Sequence, residues 1–300
     1  MRFGCLGEVM LELVLGQDRD AMLGVAGDTY NTAVYLARAL GPGKIDYITC
    51  LGADGFSQRI RQHMACYGVG DARVLTHDAR IPGLYAIETD TDGERTFTYW
   101  RSMSAARCLG DPDLPGFDSL FDGLTHLYYS GISLAILAQE NRERLFDAID
   151  TFRQAGGVVG FDSNYRPHLW NDPDLAQRET ERAWRSCDIA MPSVDDEMAL
   201  FKDASEAALL ERFATYAITQ GALKRGGAGP IGLDGSTPPS APAIRQAVDT
   251  TAAGDSFNAA YLAALVEGRT SSEAMAAGHA LASEVIMHKG AIIFEGRTLS

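Results

Sequence analysis

Asp249-Thr250-Thr251-Ala252-Ala253-Gly254-Asp255 follows a strand-like run, Ile244 to Val248, and precedes a helix-like one, Ser256 to Val266. Small residues at 252, 253 and 254 let backbone N–H groups crowd around an anion. The helix that starts there adds the positive end of its dipole. Asp255 falls in the first turn with a free carboxylate. An anion cradle beside a carboxylate suits phosphoryl transfer to a hydroxyl, since one part holds the transferred group and the other takes the proton. A plain helix N-terminus made of small residues is the competing reading. The strand before and the helix after favour the cradle.

The same alternation runs outward through the chain. Strands are expected at Phe3–Gly7, Asp46–Cys50, Thr125–Ser130, Gly157–Phe161, Asp188–Met191 and Tyr216–Thr219. Helices are expected at Tyr30–Leu40, Ser57–Tyr67, Asn141–Gln154, Leu175–Ser186, Asp195–Leu200, Gly254–Val266 and Ser272–His288. Gly41 and Gly68 stand just past two of these, as C-terminal caps do. Such alternation predicts an α/β fold: a doubly wound, mostly parallel sheet with helices on both faces, and ligands at the carboxyl ends of the strands.

One region breaks the pattern. Gly83–Thr89 and Arg95–Arg101 read as two strands around a turn at Asp92-Gly93. Segments near 9–25 and 71–76 are expected to join them in a small antiparallel β lid on a single domain spanning 1–300. The stretch Gly235–Pro242 reads as a surface loop.

The 300 residues are 46% hydrophobic and 22% charged, enough for a substantial core. A formal net charge of −14 leaves no electrostatic footprint for nucleic acid. Five cysteines without a C-x-x-C pair suggest reduced thiols and a cytoplasmic setting. No apolar run is long enough to span a membrane, and Glu8 and Glu12 interrupt the N-terminal hydrophobic stretch. The six histidines show no metal-ligand spacing.

On the acceptor side, a period of two places Phe97, Tyr99 and Arg101 on one face of a lid strand, with Tyr85 on the strand opposite. An arginine and aromatics on a lid suit a polyhydroxylated anion; an exposed amphipathic hairpin is the plainer alternative. Gly27, Asp28 and Asn31 open a helix, where Gly lets a ligand approach the backbone and Asn31 is placed to hold hydroxyls. Asp28 is equally read as an N-cap. Arg166 follows a strand end and again suggests an acid group. On the nucleotide side, Lys224 precedes a glycine cluster, Gly226, Gly227 and Gly229, which is either a phosphate loop or a surface turn. The acidic run at Asp195–Glu197 is either a charged helix start or, through Asp196 and water, a holder of Mg²⁺.

The 249–255 segment resembles the signature D-T-x-G-A-G-D of the ribokinase-like (PfkB) carbohydrate kinases, and the match continues through Ala259, Ala260 and Tyr261. Ala252 stands where many members have Gly. The strings GDTYNTAVYLAR (27–38), PGLYAIETD (82–90), GERTFTYWR (93–101), SGISLAIL (130–137), NYRPHLW (164–170) and KGAII (289–293) closely resemble the 2-dehydro-3-deoxygluconate kinase branch of that family. The resemblance implies Asp255 as catalytic base and the Ala252, Ala253, Gly254 and Asp255 amides as the anion hole. It implies substrate contacts from Gly27, Asp28, Asn31, Tyr85, Tyr99, Arg101 and Arg166, with the arginines meeting a sugar-acid carboxylate. It places Lys224 and the glycine cluster, with Asn164 and Ser193, toward ATP and Mg²⁺. Ser193 stands where the family often carries the Asn of N-x-x-E. A homo-oligomer formed through the lid is implied as well.

Overall fold

The computed structural model describes residues 1–16, 20–89, 95–238 and 247–294. Along the chain come β1 (Phe3–Leu6), β2 (Met10–Leu15), β3 (Ala21–Ala26), α1 (Asp28–Leu40), β4 (Ile45–Leu51), α2 (Gly55–Cys66), β5 (Val74–Thr76), β6 (Leu84–Thr89), β7 (Arg95–Trp100), α3 (Phe117–Phe121) and β8 (His126–Ser130). Then follow α4 (Gly131–Ile136), α5 (Gln139–Gln154), β9 (Val158–Asp162), α6 (Pro173–Arg185), β10 (Ile189–Ala190), α7 (Val194–Phe201), α8 (Glu206–Phe213), β11 (Gln220–Leu223), β12 (Ile231–Gly232), α9 (Ala253–Val266) and α10 (Ser271–Val285).

Eight strands form the body sheet in the order β12-β11-β10-β9-β8-β1-β4-β5. All pairs are parallel except β11–β12. Every residue of β1 and β4 is buried, as strands covered by helices on both faces must be. Successive side chains point to opposite faces. Tyr128 therefore joins a core with Tyr30, Phe257 and Tyr261 from α1 and α9, while Tyr129 joins one with Phe146, Phe161 and Trp184. Caps set the helix entries. Asp54 accepts from the Phe56 and Ser57 amides at α2, and Thr270 with Glu273 closes a capping box on α10. Gly41, at φ +90°, ends α1.

Four strands, ordered β3-β2-β6-β7, make a second, smaller sheet where the lid was expected, called the lid from here on. Its two hairpin pairs are antiparallel and meet at a parallel seam that sets Glu12 beside Tyr85. The segment near 71–76 does not belong to it. Val74–Thr76 pairs with β4 at the edge of the body sheet, where Val74 is buried in the core. The strand expected at Tyr216–Thr219 begins instead at Gln220; Tyr216 closes the end of α8, its amide bonded to the Phe213 carbonyl and its ring packed on Phe213. The last helix stops at Val285 rather than His288. Three short helices, α3, α4 and α8, were not foreseen. The expected Asp92-Gly93 turn, residues 244–246 of the run before the cradle, and 239–242 of the surface loop lie outside the described residues. Within that run Val248 is not in a strand; its amide and that of Asp249 donate to the Ile286 carbonyl at 2.8 and 3.1 Å. Among the described residues no helix is long and apolar enough to cross a membrane.

Candidate active site

The β8–β9 register sets Ser130 opposite Asp162, both at the carboxyl ends of their strands. Above this edge the starts of α1 and α9 converge. Ala252 precedes α9 in the left-handed conformation, φ 59° and ψ 15°, and no side chain caps the helix. The Ala253 amide donates to the Thr250 carbonyl at 3.3 Å, and the first-turn amides of Gly254 and Asp255 look to solvent or a ligand for acceptors. Gly254 has room in front of it: a Cβ there would meet only the Lys224 Nζ, at 3.6 Å. The fold does not demand glycine at that point, so the space is available to a phosphoryl group.

Asp255 is 9% exposed and lies in this first turn. Asn31 Nδ2 donates to its Oδ2 at 2.8 Å, and Thr32 Oγ1 donates to its backbone carbonyl at 3.2 Å. Burial, and then the charge of Asp28, push its carboxyl up to about 8; the Asn31 amide and Lys224 oppose them. Asp28 accepts from the Ser130 hydroxyl and from Asn164 Nδ2 at 2.9 Å. Asn164, expected on the nucleotide side, thus also holds the Asp28 carboxylate, from a backbone at φ 30°. Gly27 has a cause within the fold besides the ligand approach that was expected. A Cβ there would lie 2.3 Å from the Glu8 carbonyl, so close passage of the chain by itself requires glycine at this position.

Lys224 stands just past β11 and joins this group. Its ammonium donates to Asp162 at 2.7 Å and to Asn258 Oδ1 at 3.1 Å, while Asn258 Nδ2 donates to Asp162 at 2.7 Å and to the Tyr128 hydroxyl at 3.0 Å. Sequence reading assigned no role to Asp162 or Asn258. The available signals were position at a strand end for Asp162 and i+3 spacing from Asp255 for Asn258, which puts both on one helix face. Gly226 and Gly229 take φ of 52° and 77° in a one-turn helix around Gly227, and Arg225 donates to the Gly229 carbonyl. Ser193 caps α7, accepting the Asp196 amide at 3.4 Å, and its own amide donates to Ser163. Burial, followed by the nearby charge of Asp162, raises the Asp196 carboxyl above its ordinary range. Asp196, with Arg166 at 3.6 Å, and Asp162, bound by Lys224 at 2.7 Å, are two carboxylates that a divalent cation held mostly through water could use. The adjacent Glu197 is wholly buried and serves the fold, paired with Arg212 at 2.9 Å.

The lid brings Tyr85 and Tyr99 side by side, their rings tilted by 32° with centroids 5.7 Å apart, and the His168 ring lies 5.8 Å from Tyr99. The Tyr85 hydroxyl donates to Glu12. Arg101 is not the unpaired cation that the sequence suggested: it is buried and ion-paired with buried Glu8. Arg101 Nε and Glu8 Oε1 nevertheless find no partner among the described residues. Arg166 is half-exposed, donates to the Tyr165 carbonyl at 2.9 Å, and approaches Asp196 at 3.6 Å.

The profile of the pfkB family of carbohydrate kinases matches residues 5–296. The chain is 40% identical over 296 residues to the 2-dehydro-3-deoxygluconokinase of Dickeya dadantii (strain 3937), a match covering 96% of this chain and 95% of that one. It is 37% identical over 300 residues to the 2-dehydro-3-deoxygluconokinase of Escherichia coli (strain K12), covering 97% of each. Its fold matches the crystal structure of aminoimidazole riboside kinase from Salmonella enterica, complexed with aminoimidazole riboside and an ATP analog. The TM-score is 0.82, with 22% identity and coverage of 97% and 95%.

Proposed function

Since the chain belongs to the pfkB family of carbohydrate kinases, we propose that it transfers the terminal phosphoryl group of ATP to the C6 hydroxyl of 2-dehydro-3-deoxy-D-gluconate. The products are 2-dehydro-3-deoxy-6-phospho-D-gluconate and ADP. The observation that carries this reading is Asp255, a buried carboxylate beside an uncapped helix start with open room at Gly254.

Asp255 takes the hydroxyl proton as that oxygen attacks the terminal phosphorus in line. Asn31 fixes the carboxylate, and a pKa of about 8 suits a base working near neutral pH. The amides of 252–255 and the Lys224 ammonium meet charge on the transferred group. Asp162 and Asp196 fit a Mg²⁺ that keeps most of its waters, and such an ion would neutralise phosphate charge. The lid carries Tyr85 and Tyr99 to the acceptor and excludes water. Arg166, half-exposed, meets the C1 carboxylate, and Arg101 adds its charge from the buried pair with Glu8.

One observation favours a second reading, a neutral sugar as acceptor: the Arg101 charge is already balanced by Glu8. ATP turnover over a panel of sugar acids and neutral sugars separates the two. Preference for 2-dehydro-3-deoxygluconate supports the first, and equal use of fructose or ribose supports the second. The lid strands expose Met22, Phe97 and Trp100, and the proposal includes a homo-oligomer that covers them, checked by sedimentation. It also includes a reducing, cytoplasmic setting, in keeping with five free cysteines of which four are buried.

A further inference from the structure

Arg95 opens β7, the edge strand of the lid. Its guanidinium leaves the lid and reaches the first residues of the cradle segment. There Nη1 donates to the Asp249 carboxylate and, at 3.1 Å, to the Thr251 hydroxyl. Asp249 is only 5% exposed, and its other contacts are backbone: the amides of Thr251 at 2.9 Å and Gly290 at 2.8 Å. Burial would raise this carboxyl, but the Arg95 guanidinium and the two amides hold it down at about 2. The segment is thus anchored to the body beyond α10 and gripped from above by the lid.

On the lid side, the Arg95 charge also acts on Glu12, whose carboxylate takes the Tyr85 hydroxyl. Arg95 therefore acts by charge on Glu12, which holds the aromatic face of the lid, and by direct hydrogen bonds on Asp249 and Thr251. The next residue is Ala252, whose left-handed backbone aims the first turn of α9. We propose that Arg95 is a positioning residue that latches the lid to the phosphate cradle, so that seating of the lid fixes the backbone of 250–254. Displacing the lid breaks a charge-assisted pair, and shifting the cradle pulls on the lid. Acceptor closure and phosphoryl positioning then become one event. Its kinetic consequence rests on the kinase reading above.

The test uses the full chain with Arg95→Ala, Arg95→Lys, Asp249→Asn and the Arg95→Ala/Asp249→Asn double variant. Turnover is measured with whichever acceptor the wild type phosphorylates, together with acceptor-independent ATP hydrolysis and amide hydrogen exchange at 250–255. The latch predicts that Arg95→Ala lowers kcat about 10- to 100-fold, raises the share of ATP lost to water, and speeds exchange at 250–255 while the body strands keep their protection. Arg95→Lys recovers part of kcat, since an ammonium reaches Asp249 without the planar fork. The double variant is no slower than its slower parent. A lowered Tm with wild-type kcat, hydrolysis ratio and local exchange overturns the latch, and so do losses that multiply in the double variant. The exchange measurement needs no substrate. If the wild type ignores the sugar acid while Arg95→Ala still loosens 250–255, the latch stands and the substrate assignment falls.

Discussion

Asp255→Asn tests the base and its environment together. Asn keeps the shape and an acceptor for Asn31 but cannot ionise. In the folded chain the Asp255 carboxyl titrates at about 8, against an ordinary 3.8. Its folded pKa is raised, so the stability it contributes is full below pH 3.8 and is lost as pH rises toward 8. Each pH increment of one across that window costs the wild type about 1.4 kcal/mol relative to the variant. The variant is therefore expected to match the wild type near pH 4 and to exceed it by at most about 4 kcal/mol at pH 7, with the gap levelling above pH 8. Ligand-free denaturant unfolding of both proteins from pH 4 to 9 reads this directly. The same substitution should lower kcat by at least ~10²-fold, and the wild-type kcat/KM should rise with pH toward about 8. A stability difference that is flat with pH refutes the buried carboxyl. Near-normal turnover in the variant removes Asp255 from the chemistry.

Other substitutions probe the remaining parts. Gly254→Val places a side chain in space bounded by the Lys224 ammonium at 3.6 Å; we expect stability within about 0.5 kcal/mol and a kcat lowered at least ~10-fold, whereas a change in Tm alone would assign the glycine to packing. Ala252→Gly relieves a left-handed alanine that costs about 1–2 kcal/mol, offset by about 0.4–1 kcal/mol of added unfolded-state entropy, so a Tm about 2 °C higher with kcat retained is expected, and a lower Tm contradicts the strain. The two arginines should separate. Arg166→Ala, half-exposed, should leave stability intact and lower kcat/KM for the sugar acid by roughly 10- to 150-fold without changing the KM for ATP. Arg101→Ala strands buried Glu8 and should cost about 3–5 kcal/mol of stability, read by denaturant unfolding.

The body of the fold was legible because its signals are local. Short runs of four to six residues, helical periodicity between them and glycines past two helix ends are properties of neighbouring residues, and they located five of the six expected body strands and all seven expected helices to within a few residues. The small residues at 252–254 and the carboxylate at 255 were legible for the same reason: a helix start with no capping side chain can be read from seven letters. The placement of Val74–Thr76 was not, since a three-residue strand carries no sign of which sheet will pair with it.

Partnership across the sequence was decided by the tertiary structure alone. Asn31 and Asp255 are 224 positions apart, Lys224 and Asp162 are 62 apart, and Arg95 and Asp249 are 154 apart. Arg101 looked like a cation waiting for a substrate because Glu8, 93 residues earlier, carries no mark that it will be buried against it. Asn164 and Asp28, 136 positions apart, meet across the strand ends with no mark of it in either stretch of sequence. The sequence determined which chemical groups the site owns and which element starts present them. Which groups neutralise one another, and so which remain free to act on a ligand, depends on distances and burial that exist only once the sheet has brought its carboxyl ends together.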